Sequence, residues 1–598
     1  MTGLRDGVLL RAMLAATAVS LFVVIAIAIN GRIAFHIGGL QVRAHSALTP
    51  GLAAFVLALI VAIGGRGELR GALSWWWSTL ERRAAAAALV LSCVALAIGI
   101  TWGTFAAGGS DSYCYLNQAE LFARGHLRDV EPLGADTSWP GSADAFVPVG
   151  HNPSPAVPGG FVPMCPAGYP ILLAATRIAF GRNAMFWVTP LFGALAVWLA
   201  FVLGRRVGGS AAGVLAAALT LTSPIFLFQI VQPMNDVVAA ALWAAALVSV
   251  TRRGSSDLSR GLLSGIITGA ALTIRPNLLP LVGVMGMCGV VLSGQRGTAT
   301  LRGRVITLLA FGVAALPGVL VVLAIQNAMY DSPVRSGYGD LSALFSWSNI
   351  GANLVRYARW TTEAHTLLIS VALIGPFALR GARREAACMV LFSLATLACY
   401  LPYVVFDAWW YQRFLLPGIL PLLVLTAAVL SRLVARLEPA GRMVAFVCVL
   451  SVLPLLYLRN AVERDAFRLQ DFEARFRNAG QYAARLPPES AFITMAESGS
   501  VRFYSGRTSA VWLGIEPGRL AEAVDFFRRH GRKPYLLIEM PEERGFRERF
   551  AADRLGGLEW PPIVEIDRAV RIYDPADYER YMRGEFVNSE RIMTKRTR

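Results

Sequence analysis

The sequence predicts a polytopic α-helical membrane protein with about 13 transmembrane helices, followed by a small α/β domain. Only 16% of its 598 residues are charged and 55% are hydrophobic, whereas about 25% of the residues in a soluble globular protein are charged. Long uncharged runs dominate residues 1–458, and residues 459–598 have the composition of a soluble domain. We therefore place the boundary between a transmembrane domain and a C-terminal domain after residue 458.

The basic residues indicate how these helices are oriented. The net charge is +17, but most arginines lie in short loops between apolar runs, where they mark the cytoplasmic side of a membrane protein. This placement argues against a nucleic-acid partner. Apolar runs at 9–29 and 47–63 predict two helices with a cytoplasmic N-terminus, and we find no convincing signal-peptide cleavage site after the first. Four arginines then place the next loop in the cytoplasm: Arg66, Arg70, Arg82 and Arg83.

The third predicted helix, 84–106, leads into an external region at 107–183 that carries juxtamembrane helices. Residues 166–180 are apolar, yet about fifteen residues at 1.5 Å each reach only about 22 Å, short of a roughly 30 Å hydrocarbon core. A spanning helix here would also put Arg205 and Arg206 outside the cytoplasm, against the positive-inside rule. We therefore predict that 166–180 lies on the membrane surface.

The remaining apolar runs alternate in direction with the charges of the loops between them. The predicted helices are 186–203, 211–231, 237–250, 261–274, 277–292, 305–325, 367–379, 386–405, 415–430 and 443–458. Their parity places a second long loop, 326–364, and the C-terminal domain outside the cytoplasm. In that domain, 491–495 and 534–539 resemble short buried strands, and 520–530 has helical spacing.

Charged residues near the outer ends of the predicted helices are the main functional signal. Four of them fall on the same side of the predicted membrane: Asp111, Asp236, Arg275 and Arg413. Charges at membrane depth usually face a cavity or a partner. Guanidinium groups suit phosphate oxygens, and a carboxylate can act as a general base or hold a cation. The alternative, a solvated residue at a loop end, weakens when all four occur together.

Short motifs follow one another along residues 84–440. They are Gly109-Ser110-Asp111-Ser112-Tyr113-Cys114-Tyr115, Gln118-Ala119-Glu120, Pro166-Ala167-Gly168-Tyr169-Pro170, Leu203-Gly204-Arg205-Arg206, Ser223-Pro224, Met234-Asn235-Asp236, Ala271-Leu272-Thr273-Ile274-Arg275-Pro276 and Tyr411-Gln412-Arg413-Phe414. In this order and topology the chain resembles the GT-C membrane glycosyltransferases. That superfamily includes the dolichyl-phosphate-mannose protein mannosyltransferases and the lipid A aminoarabinose transferases.

The resemblance implies a cell-envelope glycosyltransferase that moves a sugar from a polyprenyl-phosphate donor to an external lipid, glycan or protein. Asp111 matches the catalytic base of the first loop, and Asp236 matches a second acidic position of the catalytic site. Arg275 and Arg413 would bind the leaving phosphate. His151 is a further candidate for that phosphate, with a solvated loop histidine as the alternative. Four more positions are assigned to substrate binding: Tyr113, Tyr169, Asn235 and Tyr338.

The same resemblance bears on cofactors and location. Tyr113 stands where a D-x-D motif would have its second aspartate, so we assign no metal site and expect no required cofactor. A divalent cation is possible but without support. The expected location is the bacterial inner membrane, with the active site and the C-terminal domain outside the cytoplasm.

The seven cysteines divide into two groups. Five lie in apolar runs: Cys93, Cys288, Cys388, Cys399 and Cys448. Cys114 and Cys165 lie in the external region, where a pair of thiols can oxidise. They are therefore candidates for a disulfide, which would close a loop of about fifty residues and constrain the unfolded chain by about 4 kcal/mol.

Two other functions fit a polytopic chain. A secondary transporter would have broken helices near the midplane, and the short helices joined by Arg275-Pro276 could be such a pair. Against a transporter, no internal repeat is evident, and the charged residues cluster in external loops. A non-catalytic envelope assembly protein is the second alternative, because it too could carry an external domain.

Overall fold

The computed structural model describes residues 66–136, 142–293, 300–339 and 341–593, with residues 15–17, 19–20, 23, 27, 33–37 and 40–44 near the N-terminus. The predicted helices at 9–29 and 47–63 therefore lie largely outside the described residues. Near the N-terminus, β1 (Ile33–Ile37) and β2 (Leu40–Ala44) form an antiparallel hairpin.

Helices make up most of the chain as far as Glu463. They are α1 (Arg66–Thr101), α2 (Asp111–Ala123), α3 (Gly168–Phe180), α4 (Val188–Gly208), α5 (Ser210–Thr222), α6 (Pro224–Ile230), α7 (Asn235–Val250), α8 (Asp257–Ile274), α9 (Pro280–Leu292), α10 (Leu301–Tyr330), α11 (Asn349–His365), α12 (Arg383–Tyr400), α13 (Leu416–Val434) and α14 (Pro439–Glu463). Shorter helical turns lie at Pro132–Ala135, Ser142–Ala145, Arg182–Trp187, Pro276–Leu278, Leu341–Leu344, Leu367–Ile374, Gly375–Ala378, Arg380–Ala382 and Trp409–Leu415. Each apolar run predicted from 84–106 onward overlaps one or more of these segments. A helix satisfies all backbone polar groups within an apolar run.

Several of these helices can cross a membrane. Five segments in the described part of the chain are long and apolar enough: Arg70–Thr101, Arg182–Gly208, Leu301–Tyr330, Trp409–Val434 and Ala440–Glu463. A sixth is the pair α5 and α6, which bends by 61° between the two helices. Other apolar helices, such as α7 and α9, are shorter than a full span. The fold thus has the helices of an integral membrane protein, and the total of about 13 spans stays a prediction.

Helices α8 and α10 pack closely through glycine. Gly261, Gly265 and Gly269 of α8 lie directly against the backbone or side chains of α10. A side chain at Gly265 would collide with the carbonyl of Phe311, and one at Gly318 would collide with Gly269. Small residues allow helix backbones to approach in this way. One face of α8 is therefore covered by α10.

The region between α1 and α4, here called the external region after its predicted location, has its own small fold. Besides α2 and α3 it contains a sheet in the order β3-β5-β4, formed by β3 (Asp129–Val130), β4 (His151–Pro153) and β5 (Gly160–Pro163). Glu120 of α2 is buried and pairs with Arg177 and Arg182 at 2.7 and 3.0 Å. On α3, Ile178 and Phe180 are 69% and 80% exposed. An exposed apolar edge beside basic residues suits a helix at a membrane surface, which supports the prediction for 166–180.

A disulfide joins two parts of this region. Cys114 in α2 and Cys165 after β5 are bonded across a sequence separation of 51 residues. They are the two cysteines that the sequence singled out for pairing. The bond ties the start of α2 to the segment that leads into α3.

Replacing Cys114 and Cys165 together by serine is expected to lower the thermal unfolding midpoint. The bridge limits the conformations of the unfolded chain, which contributes about 4 kcal/mol for a loop of this size. Thermal unfolding of the purified protein, with and without reductant, measures the effect. Cys448→Ser is the matched control, because Cys448 is an exposed free cysteine. Labelling of both thiols in unreduced protein would contradict the bridge.

The C-terminal domain is built on a six-stranded sheet in the order β11-β9-β10-β8-β6-β7. Its strands are β6 (Ser490–Thr494), β7 (Thr508–Val511), β8 (Lys533–Glu539), β9 (Val564–Ile566), β10 (Val570–Tyr573) and β11 (Glu590–Ile592). β6 pairs in parallel with β7 and β8, β9 pairs in parallel with β11, and β10 is antiparallel to β8 and β9. Its helices are α15 (Leu469–Ala483), α16 (Ser498–Ser505), α17 (Leu520–Arg529), α18 (Glu543–Arg549) and α19 (Pro575–Met582), with a short turn at Trp512–Gly514.

The predicted elements of this domain correspond to observed ones. The strands expected at 491–495 and 534–539 are β6 and β8, and the helix expected at 520–530 is α17. The α/β character is therefore confirmed, and the external location stays a prediction. Helix α14 runs through the predicted boundary at residue 458 and ends at Glu463.

The C-terminal domain packs on the external region between α1 and α4. Phe146 of that region is buried beside Phe526 and Phe527, with ring centroids 6.1 and 5.6 Å apart. Arg502 of α16 pairs with Glu131 at 3.2 Å. Two segments separated by more than 300 residues in the sequence thus share one packed interface.

Candidate active site

A cavity of about 1560 Å³ lies between the helices, the first external region and the start of the C-terminal domain. Its polar wall includes Asp111, Asn235, Arg275, Tyr338, Tyr400, Arg413, Glu473 and Arg475. Another part of its wall is apolar and includes Val319, Val322 and Ile325 of α10. The cavity therefore combines charged groups with an apolar surface.

Asp111 stands at the cavity wall as the first residue of α2. The preceding Gly109 has φ of 55°, a left-handed conformation that glycine adopts without strain, and the chain turns there into the helix. An acidic residue is favoured at a helix N-terminus. The Asp111 side chain is 39% exposed and accepts a hydrogen bond from Arg413, with 2.7 Å between Nη2 and Oδ2. A carboxylate here can meet a ligand in the cavity.

Arg413 is held mainly by this carboxylate and by aromatic rings. Its guanidinium carbon lies 5.4 Å from the Tyr411 ring centroid and 5.3 Å from that of Phe414. Its Nη1 is 3.3 Å from the sulfur of Met234. Its Nε has no hydrogen-bond partner among the described residues. Arg413 thus brings a positive charge to the cavity that protein groups satisfy only in part.

Arg275 is the second guanidinium of the cavity and is only 6% exposed. It forms a salt bridge with the fully buried Asp236. Its Nε and Nη2 each donate to Oδ1 of Asn235 at 3.2 Å, and its Nη1 donates to the hydroxyl of Tyr400 at 3.1 Å. Arg275 follows the end of α8 and precedes Pro276, which ends the helix there. Its position is therefore fixed on several sides.

The two ion pairs form one electrostatic unit. The guanidinium carbons of Arg275 and Arg413 lie 5.5 and 5.3 Å from the centroid of the same ring, that of Phe414. Four charged residues from four separate parts of the sequence thus meet at one site. The two guanidinium groups can bind a phosphate. The accessible carboxylate beside them can accept a proton.

Residues 165–325 match the family of dolichyl-phosphate-mannose-protein mannosyltransferases. The predicted resemblance to the GT-C glycosyltransferases is confirmed. The prediction of an enzyme of this class is confirmed with it. No curated protein sequence matches the chain.

Similar solved structures include three membrane glycosyltransferases. ArnT from Cupriavidus metallidurans, bound to undecaprenyl phosphate, is 14% identical with a TM-score of 0.49 over 77% of this chain and 94% of that one. The Archaeoglobus fulgidus oligosaccharyltransferase tethered to an acceptor peptide is 11% identical with a TM-score of 0.46 over 79% and 72%. The arabinofuranosyltransferase AftD from Mycobacteria is 15% identical with a TM-score of 0.41 over 77% and 35%.

The structure places Asp236 differently from Asp111. Asp236 is fully buried and does not line the cavity, but it pairs with Arg275, which does. Its Oδ2 has no hydrogen-bond partner in the described structure. This position suits a residue that orients Arg275, and the catalytic role of Asp236 stays a prediction.

Three other predicted contacts also lie behind the cavity wall. Tyr113 and His151 pack together, with ring centroids 5.0 Å apart, and Tyr169 donates to or accepts from Thr189 at 2.8 Å. None of the three lines the cavity. Burial lowers the pKa of His151 to about 3, so its ring is neutral at pH 7 and adds no charge for a phosphate. Tyr338, in contrast, lies on the cavity wall, as does Asn235.

Tyr400 is a residue of this site that sequence reasoning missed. Its hydroxyl accepts hydrogen bonds from Arg275 at 3.1 Å and from Asn277 at 3.0 Å. Its ring stacks on Phe414 with centroids 5.1 Å apart. In the sequence it reads as one more aromatic residue at the end of an apolar run, which is typical of any transmembrane helix.

The C-terminal domain positions the chain on both sides of Asp111. Before it, the backbone N–H of Ala107 donates to the Tyr504 hydroxyl at 2.9 Å, and the ring of Phe476 occupies the space beside Gly108. After it, the ring of Tyr113 lies against Gly499 of α16. Glycine is required at both contacts, since a side chain would collide with the ring. The location of the candidate base thus depends on a distant domain.

Within the part of the chain that the structure describes, no group of three or more His, Cys, Asp or Glu side chains is arranged to hold a metal ion. Asp111 and Asp236 are each paired with an arginine instead. That no cofactor is required stays a prediction.

Proposed function

We propose that this protein transfers a sugar from a polyprenyl-phosphate donor to an acceptor outside the cytoplasm. The observation that carries the proposal is Asp111, a part-exposed carboxylate bonded to Arg413 in a cavity that also contains Arg275. The family match at residues 165–325 supports the same chemistry. The acceptor is a lipid, glycan or protein of the bacterial cell envelope.

In the proposed reaction, Asp111 is the general base. An acceptor hydroxyl oxygen attacks the anomeric carbon of the sugar while the bond from that carbon to the phosphate oxygen breaks. The hydroxyl proton passes to the Asp111 carboxylate, and the polyprenyl phosphate leaves with the bonding electrons. General base assistance of this kind contributes about 10²- to 10⁴-fold to a rate.

The two arginines would stabilise the leaving group. The donor phosphate gains negative charge as the glycosidic bond breaks, and fixed positive groups are most effective where charge develops. Arg275 is held by Asp236, Asn235 and Tyr400, so it needs little reorganisation. The Nε of Arg413 has no partner among the described residues. The guanidinium of Arg413 can therefore donate a hydrogen bond to the phosphate.

The apolar wall of the cavity suits the polyprenyl chain. Val319, Val322 and Ile325 line it, and only 11% of the most apolar stretch of α10 is buried. Among the described residues, the side of α10 away from α8 is largely uncovered, so this side is free to face lipid. The donor can then keep its chain in the bilayer while its phosphate reaches the arginines.

The proposal is tested with purified full-length protein in proteoliposomes. The donor is a polyprenyl-phosphate sugar labelled in the sugar, and a cell-envelope fraction supplies acceptors. Transfer of label and release of polyprenyl phosphate are expected in equal amounts. If no donor in a panel of polyprenyl-phosphate sugars is cleaved, the proposal is wrong. Movement of an intact solute across the vesicle membrane would then favour the transporter.

A further inference from the structure

A second pocket, of about 310 Å³, lies at the opposite end of the helices from the cavity. It is formed where α7 ends and α8 begins, whereas the other ends of these two helices, at Asn235 and Ile274, adjoin the cavity. Its polar lining is Ser249, Arg252, Ser255, Ser259 and Arg260. Its apolar lining is Leu262, Leu263 and Ile266.

A buried arginine stands in the wall of this pocket. Arg260 is 2% exposed and donates to the carbonyls of Val250 at 3.2 Å, Arg252 at 3.3 Å and Leu292. Its Nε has no hydrogen-bond partner in the described structure. Its contacts are therefore neutral carbonyls, which leave its positive charge uncompensated by any direct ion pair in the described residues.

Further positive charge surrounds Arg260. Arg206 donates to the hydroxyl of Thr251, the residue before Arg252, at 3.0 Å. The carboxylates that act on Arg260 are Asp257 and Glu385, and Glu385 is bonded to Arg253 at 2.9 Å. Among the described residues here, the four arginines thus outnumber the two carboxylates. The Arg252 side chain is exposed and forms no hydrogen bond or ion pair in the described structure, so it is available to an anion.

The pocket opens along an apolar helix face. Leu258, Leu262 and Ile266 are 54%, 38% and 58% exposed and are spaced four residues apart on α8. Gly261, Gly265 and Gly269 each follow one of these residues by three positions, so the adjoining side of α8 packs against α10. The N-terminus of α8, which carries the partial positive charge of the helix dipole, also adjoins the pocket. The basic pocket is thus continuous with an exposed apolar surface on α8.

We propose that this pocket binds the phosphate headgroup of an anionic glycerophospholipid, in the membrane leaflet opposite to the catalytic cavity. Arg252 would contact the phosphate, Arg260 would supply buried positive charge, and the acyl chains would lie along Leu262 and Ile266. Basic pockets between helices at a membrane surface recognise such headgroups. A free phosphate ion would use the arginines but gain nothing from the apolar stripe.

The test compares lipids on the purified full-length protein. Native mass spectrometry and thermal unfolding are recorded with phosphatidylglycerol, phosphatidylcholine or inorganic phosphate. Phosphatidylglycerol is expected to be retained and to raise the unfolding midpoint more than the other two. Arg252→Gln is expected to weaken its binding by about tenfold, the effect of losing one charged hydrogen bond. Ser259→Glu should abolish it, because a carboxylate is tolerated in a first helical turn but repels a phosphate.

Arg432→Gln is the matched control, since Arg432 is an exposed arginine at the end of another helix, α13. It should leave phosphatidylglycerol binding unchanged. Equal retention of phosphatidylcholine, or full binding by both pocket variants, would overturn the proposal. An equal shift with inorganic phosphate would assign the pocket to a soluble anion instead. Because the readout is lipid binding, it does not depend on the proposed transferase activity.

Discussion

Asp111→Asn is expected to lower sugar transfer by about 10²- to 10⁴-fold. The amide keeps the size of the side chain and can still accept the hydrogen bond from Arg413, but it cannot take the acceptor proton. The loss should therefore appear in kcat, while donor binding, measured by titration with polyprenyl phosphate, changes little. The thermal unfolding midpoint should stay near that of the wild type.

Asp129→Asn is the matched control for this variant. Asp129 lies in the same external region and is exposed. Its side chain accepts a hydrogen bond from the backbone N–H of Val130. Its substitution removes the same charge at a distance from the cavity wall. Transfer at the wild-type rate by Asp111→Asn would reject Asp111 as the base, even if the wild type is an active transferase.

Breaking the buried Asp236–Arg275 pair should lower both stability and transfer. Asp236→Ala leaves the guanidinium of Arg275, 6% exposed, without its counter-charge. Removing one partner of a buried pair costs about 3–5 kcal/mol. Asn235 and Tyr400 remain as neutral partners, so we expect a value near the lower end. Thermal unfolding in one detergent measures the loss, and transfer should fall as Arg275 becomes mobile.

A double variant separates stability from chemistry. Asp236→Leu with Arg275→Met replaces the pair by apolar side chains, which is often neutral or stabilising. We expect its unfolding midpoint to recover relative to Asp236→Ala and its transfer to stay low, because the phosphate loses one guanidinium. Asp236→Asn serves as the isosteric control with an intermediate effect. Full transfer by the double variant would show that Arg275 serves only the fold.

Much of the helical part could be predicted from the sequence, because an apolar run flanked by arginine encodes a span locally. The run 186–203 corresponds to α4, and 305–325 corresponds to α10. The arginines of the following loop, more than length, separated 166–180 from the runs predicted to span, and the helix there is α3. The number of complete spans is harder to predict, since breaks such as the one at Ser223-Pro224 depend on neighbouring helices.

The candidate site was predictable only in its charged residues. Asp111, Arg275 and Arg413 stand out because a charge near an apolar run is rare and needs a partner. Their pairing could not be predicted, because it depends on which helix ends meet. Asp236 was assigned to the reaction for the same reason as Asp111, and only the folded structure shows that it is fully buried beside Arg275.

The sequence by itself determined that this chain is a membrane protein with a resemblance to GT-C glycosyltransferases, and it pointed to the Cys114–Cys165 pair. These features follow from local composition, spacing and short motifs. The tertiary structure decided that Tyr504 and Phe476 hold the segment around Asp111, and that Tyr400 supports Arg275. Such contacts join residues up to 397 positions apart. No local pattern records them, because they arise only when a distant domain packs onto the helices.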